Sequence, residues 1–163
     1  PASAVIVTSD SGAMSACARG VPAGTMMLDQ LSVVMSGNPS SAMVGAFGMF
    51  FSRDPEVVRR YIEDPLVFHG KMSARMLREL FAGMSAILAG AEGIALPMLI
   101  LHGGEDVMTA PDGSRILYEH ISSTDKTLKI YPGLYHEILN EPERAEVLAQ
   151  MLEWVEIRLS TLG

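Results

Sequence analysis

Three short strand-like runs along the chain, two of them continuously apolar or β-branched and the third interrupted by Lys129, end abruptly at turn residues. Ala4 to Thr8 (AVIVT) closes on Ser9-Asp10-Ser11-Gly12, and Pro97 to Leu101 closes on His102-Gly103-Gly104. Thr127 to Tyr131 closes on Pro132-Gly133. Pro97 to Leu101, with no polar interruption, reads as a strand buried on both faces of a parallel sheet; Ala4 to Thr8 reads as a buried strand, and Thr127 to Tyr131 as a further strand. Between and after them the apolar period lengthens to that of a helix. Asp54 to Tyr61 reads as a short helix, with Ser52 or Asp54 as its N-cap, Pro55 in its first turn and Asp64-Pro65 as its stop. Lys71 to Ala89 reads as a longer amphipathic helix, with Met72, Met76, Leu80, Met84 and Leu88 at intervals of four and Arg75, Arg78 and Glu79 turned away. Thr109 and Pro111 open a third helix through Ile121, with Ile116, Leu117 and Ile121 inward. The last begins near Glu141-Pro142, with Val147, Leu148, Met151, Leu152, Val155 and Leu159 as its expected buried stripe and Trp154 on the rim.

Strand, helix, strand is the order of a right-handed parallel crossover, which brings the ends of both strands to one rim of the sheet. Asp106 follows the first of these strands and His136 the second. Open α/β sheets place their chemistry at that rim. A carboxylate can fix the tautomer of an imidazole and stabilise the imidazolium formed when that ring takes a proton from a hydroxyl nucleophile. Taken singly, a loop Asp after Gly-Gly is more often a turn former, and a single His more often a satisfied surface or core residue. It is the pairing of contexts that singles them out.

The segments LPMLILHGGEDVMTAP, KTLKIYPGLYHEILNEPER and SRDPEVVRRYIEDPLVFHGKMSARM resemble the corresponding parts of the monoacylglycerol lipase and lysophospholipase branch of the α/β-hydrolases. The resemblance runs from about Phe51 to the C-terminus. It implies the chain order Ser…Asp…His, with Asp106 as the triad acid and His136 as the base. No serine in the sequence has the G-x-S-x-G surroundings of the nucleophile elbow. Ser85 comes nearest, but its neighbours Leu77, Leu80, Phe81, Met84 and Leu88 repeat at helical spacing. The expected fold is therefore α/β: the C-terminal portion of an α/β-hydrolase fold, about three parallel strands with flanking helices plus a helical cap-like segment. As one partial domain over residues 1–163 it divides into a strand and turn (1–12), a cap-like helical segment (13–94), and the acid- and His-bearing strands with their helices (95–163). In that family the first strand would border the site, which makes Ser9 and Ser11 candidate substitute nucleophiles and Asp10 an alternative acid. The competing reading is a polar turn closing a strand.

Composition narrows the partners. Twelve Lys and Arg against nineteen Asp and Glu give a net charge of −7, and the basic residues form no stripe, so nucleic acid is not an expected partner. One cysteine, Cys17, rules out an intramolecular disulfide framework and fits a reducing, cytoplasmic compartment. No cofactor is expected, and the spacing of His69, His102, His120 and His136 carries no metal signature. His102 could support the site through a hydrogen bond or serve only in packing. Nine of the twelve methionines lie between Met14 and Met84; they suit a cap over an acyl pocket, or core filling, or an oligomer contact. Two classes of function follow. One, implied by the resemblance, is a carboxylic ester hydrolase acting on small acyl esters or monoacylglycerols, in transient contact with a lipid surface. The other is a non-catalytic oligomeric scaffold or lipid-binding fragment of a hydrolase. Three strands leave a sheet edge open, so a homo-oligomer or a complementing N-terminal half is expected.

Overall fold

A computed structural model describes residues 5–8, 49–68 and 73–160. Ser9, Asp10, Ser11, Cys17, His69 and about half of the expected cap-like segment, including its methionines up to Met43 and Met72, lie outside these. Among the described residues the chain forms strand β1 (Val5–Thr8), helix α1 (Pro55–Glu63), helix α2 (Ala74–Ala89), strand β2 (Met98–Gly103), helix α3 (Pro111–His120), strand β3 (Lys126–Tyr131) and helix α4 (Arg144–Ser160). The three strands make one parallel sheet in the order β1-β2-β3, with Val5 level with Met98 and Met98 level with Lys126.

Strand β2 is buried along its whole length, as its unbroken apolar run requires. Its alternate residues feed two different cores. Leu99 and Leu101 pack with Tyr131, Leu134, Ile138, Val147 and Trp154 under α4. Met98 and Ile100 pack with Ala91, Leu117 and Ile121 under α3. Helices thus cover both faces of the sheet, and each fully buried Leu or Ile of β2 contributes on the order of 2 kcal/mol by leaving water. The strand runs on through His102 and Gly103, two residues further than the apolar run, because a strand continues as long as its ladder is paired: His102 is level with Ile130 and Gly103 with Tyr131.

Capping sets the helix starts. Asp54 accepts a hydrogen bond from the Glu56 amide at 2.9 Å and Ser73 from the Met76 amide at 3.1 Å, each satisfying an amide the helix leaves unpaired. Helix α3 has no side-chain cap; it starts on Pro111, behind Ala110. Its other end is held by Lys126, whose Nζ donates to the carbonyls of Tyr118 at 2.7 Å and Ile121 at 2.8 Å, a cation at a helix C-terminus.

Several expectations need correction. In α4, Leu148, Leu152 and Leu159 are exposed, while Val147 and Trp154 are buried. The exposed leucines sit about 100–140° around the helix from Val147. Trp154 takes the inner face because its indole N–H reaches Thr127 Oγ1 at 3.1 Å. The Arg158 guanidinium covers its ring at 3.5 Å and bonds to Asp125. Met76 on α2 is likewise exposed, so the methionine stripe outruns the surface it packs on; among the described residues of that helix Met84 is the buried one. Ile116 is only half-buried. Ser85 lies inside α2, its hydroxyl donating to the Phe81 carbonyl at 2.9 Å, which is a helical back-bond and no nucleophile elbow.

Candidate functional site

The ends of β2 and β3 are stitched together by main-chain bonds. The Gly104 amide donates to the Tyr131 carbonyl at 2.7 Å and the Glu105 amide to the Leu134 carbonyl at 3.0 Å. This approach is possible only because β2 ends in glycine. A Cβ on Gly103 would lie 2.0 Å from the Tyr135 carbonyl oxygen and 2.6 Å from that of Leu134. On the opposite side, Gly133 turns the chain at φ +80, a conformation glycine adopts without strain. Leu134 and Ile138, both buried in the core, pin the loop on either side of His136.

Asp106 and His136 therefore meet. His136 Nδ1 lies 2.8 Å from Asp106 Oδ2, a contact whose carboxylate is fully buried. Asp106 receives more donors than this one. Its Oδ1 accepts from the amides of Met108 at 2.8 Å and Thr109 at 2.9 Å. Its Oδ2 also accepts from the Thr109 hydroxyl at 2.6 Å, and His102 Nε2 stands 3.1 Å away. Burial pushes the Asp106 carboxyl up, but the bonds from His102, His136 and Thr109 outweigh it and hold the group well below the usual carboxylate range. An ionised, fully solvated-by-protein carboxylate of this kind takes the proton-bearing Nδ1 of His136 as donor, which leaves Nε2 as the nitrogen that can accept a proton. Sequence reasoning took Thr109 for a residue that opens α3; its hydroxyl is instead committed to Asp106.

A strap formed by the residues just ahead of α1 holds the His loop. The Phe51 carbonyl accepts from the Glu137 amide at 2.7 Å, the Ser52 hydroxyl donates to the Asn140 carbonyl at 2.9 Å, and Arg53 donates through its amide and Nε to Glu141 at 2.8 and 2.5 Å. Glu141 is entirely buried. Phe51 places its ring 6.0 Å from that of His136 and packs edge-on against Tyr61 at 4.5 Å. No sequence signal marked Ser52 or Arg53 as partners of a segment some ninety residues away. His120 bonds to its own helix carbonyl and stays at the surface. Among the described residues no group of three or more His, Cys, Asp or Glu could hold a metal ion, and no helix is long and apolar enough to cross a membrane.

A parallel sheet covered on both faces, delivering a carboxylate and an imidazole from consecutive strand ends, defines the C-terminal portion of an α/β-hydrolase fold. The family described as serine aminopeptidase, S33, matches residues 21–143, about three quarters of the chain. A monoacylglycerol lipase of Mycolicibacterium smegmatis is 43% identical over 104 residues, covering 64% of this chain and 37% of the relative. A caffeoylshikimate esterase of Arabidopsis thaliana is 33% identical over 146 residues, covering 77% of this chain and 44% of that protein. Among solved structures, the monoacylglycerol lipase of Paleococcus ferrophilus superposes with a TM-score of 0.69 at 33% identity over 93% of this chain and 57% of that one. The chain thus spans roughly two fifths to three fifths of the length of these proteins. It belongs to the S33 family of α/β-hydrolases, on its monoacylglycerol lipase branch.

Proposed function

We propose that this chain carries the acid and base of a serine carboxylic ester hydrolase that cleaves small acyl esters of the monoacylglycerol class. The observation that carries the reading is the 2.8 Å bond between His136 Nδ1 and a buried, multiply hydrogen-bonded Asp106. In this mechanism His136 Nε2 takes the proton of a serine hydroxyl as the serine oxygen attacks the ester carbonyl. The imidazolium formed is stabilised by Asp106, and the same proton then passes to the departing alkoxide. Water repeats the sequence on the acyl-enzyme, which releases the acid and returns the serine.

Ser9 and Ser11 are the candidate nucleophiles within the chain. Thr8, the residue before Ser9, is level with Leu101 at the carboxyl end of the sheet, on the rim to which β2 and β3 deliver Asp106 and His136. The names of the relatives favour an oxygen ester over a peptide bond, although the family's name includes aminopeptidase and the acid–base pair serves either leaving group. His136→Ala is expected to lower turnover of a p-nitrophenyl ester by at least about a thousandfold; an unchanged rate overturns the assignment. Fluorophosphonate labelling followed by peptide mapping tests Ser9 and Ser11, with an aminoacyl p-nitroanilide as the competing substrate.

A second reading is favoured by one specific observation, the absence of any G-x-S-x-G in the sequence. On it the chain is a catalytically silent scaffold or lipid-binding unit, working as a homo-oligomer or with a complementing partner that supplies further strands. It predicts no labelling by the fluorophosphonate, and light scattering that reports a species larger than the monomer. A labelled, unique serine removes this reading, and a monodisperse monomer at micromolar concentration removes the oligomer.

A further inference from the structure

Acid–base chemistry by Asp106 and His136 makes no use of His102, yet His102 is the most completely enclosed imidazole among the described residues, at 1% exposure. Both of its ring nitrogens have partners. Nε2 lies 2.8 Å from the Thr109 carbonyl and 3.1 Å from Asp106 Oδ2. A carbonyl and an ionised carboxylate can only accept, so Nε2 bears the proton. Nδ1 lies 2.7 Å from the Ser114 hydroxyl on the buried face of α3, and Ser114 donates to it when the ring is neutral. Packing alone would be satisfied by Thr109 and Ser114. The additional approach to the oxygen that His136 also uses is what points beyond packing.

We propose that His102 is a positioning residue for Asp106, which it holds through an Nε2–H donor so that one carboxylate oxygen is presented to His136. The proposal rests on reading Asp106 and His136 as the acid–base pair. The ring is set by α3 through Ser114 and by the acid loop through Thr109, so the orientation of the carboxylate is tied to the helix as well as to its own turn. Sharing the Oδ2 charge among His102, Thr109 and His136 also makes His136 less basic than it would be with the carboxylate to itself. Of the titratable side chains, His102 faces Asp106 directly and His136 through it. From α3 it meets the neutral Ser114 hydroxyl, while among the described contacts of His136 Thr109 and the ring of Phe51 are uncharged.

The test follows the His136 ring in the full chain by long-range proton–nitrogen correlation during a pH titration, which needs no turnover. His102→Gln keeps an N–H near the Nε2 position and is expected to leave the His136 midpoint within about 0.2 unit of the wild type; His102→Leu, which removes the donor, is expected to raise it by about half a unit or more. Should His102→Leu fail to fold by circular dichroism, Ser114→Ala keeps the imidazole but releases its far nitrogen, and is expected to move the midpoint the same way by less. Identical midpoints in every folded variant overturn the proposal. A chain whose midpoint responds as expected but whose ester turnover survives His136→Ala would retire the hydrolase reading while leaving the coupling of the two histidines through Asp106 intact.

Discussion

Replacing Gly103 by alanine is the sharpest single perturbation of the site, because nothing about it is chemical. The added methyl would stand 2.0 Å from the Tyr135 carbonyl oxygen, 2.6 Å from the Leu134 oxygen and 2.9 Å from the Tyr135 carbonyl carbon, all of them main-chain atoms. Ordinary contact begins at 3.4 Å, so the Tyr135 carbonyl must retreat by about 1.4 Å, and no side-chain rotation can absorb the movement. His136 is the next residue. On the proposed acid–base role of His136, a displacement of about 1 Å lowers rate by roughly a hundredfold, because the 2.8 Å contact with Asp106 cannot survive it. Overpacking of this severity costs about 3 kcal/mol, which for a chain of this size lowers the melting temperature by about 8 °C. Gly103→Ala is therefore expected to lose ester turnover by about two orders of magnitude and to show a displaced His136 resonance at a temperature where circular dichroism still reports a folded chain. A variant with wild-type melting and an unmoved His136 signal would refute the claim that the two loops are held at backbone contact.

Asp106→Asn puts an amide where five donors converge and is expected to cost about 3 kcal/mol at neutral pH. Because the folded-state carboxyl lies below its unfolded value of about 3.9, its contribution is fully present above that pH and is lost as pH falls through the folded value. The stability gap between wild type and Asp106→Asn, followed by thermal melts, should thus hold down to about pH 4 and narrow below it; a gap independent of pH contradicts the ionised, bonded carboxylate. Arg53→Ala leaves the buried Glu141 carboxylate with the Arg53 amide as its remaining described donor and is expected to cost about 2 kcal/mol, read as a melting temperature lowered by about 5 °C. An unaffected melting temperature would show that the strap holds without its guanidinium.

What the sequence disclosed and what it hid divide along the distance over which a signal acts. Strands β2 and β3 were legible because their apolar runs are local and are cut off by Gly and Pro, and Asp106 and His136 were legible because they follow those cuts. The crossover topology places them on one rim. The inner face of α4 was not legible: Val147, Leu148, Met151, Leu152 and Val155 are all apolar, and only the hydrogen bond from Trp154 to Thr127 and the stacking of Arg158 decide which of them turn inward. The partners of Asp106 were hidden for a similar reason. His102 and Thr109 lie four and three residues from it, but whether a histidine at a strand end points into a carboxylate depends on Ser114, twelve residues further along on α3. The strap of Ser52 and Arg53 spans eighty-eight residues to Asn140 and Glu141, beyond any periodicity.

The main-chain stitching between the two strand tips has a consequence for how this chain comes apart. The amides of Gly104 and Glu105 are secured by carbonyls of the His-bearing segment, so each exchanges with solvent deuterium only when its bond across the two tips opens. Transient opening there parts the two chemical groups, while Asp106 stays bonded to its own turn and the His136 segment to the stretch of chain at Phe51 to Arg53.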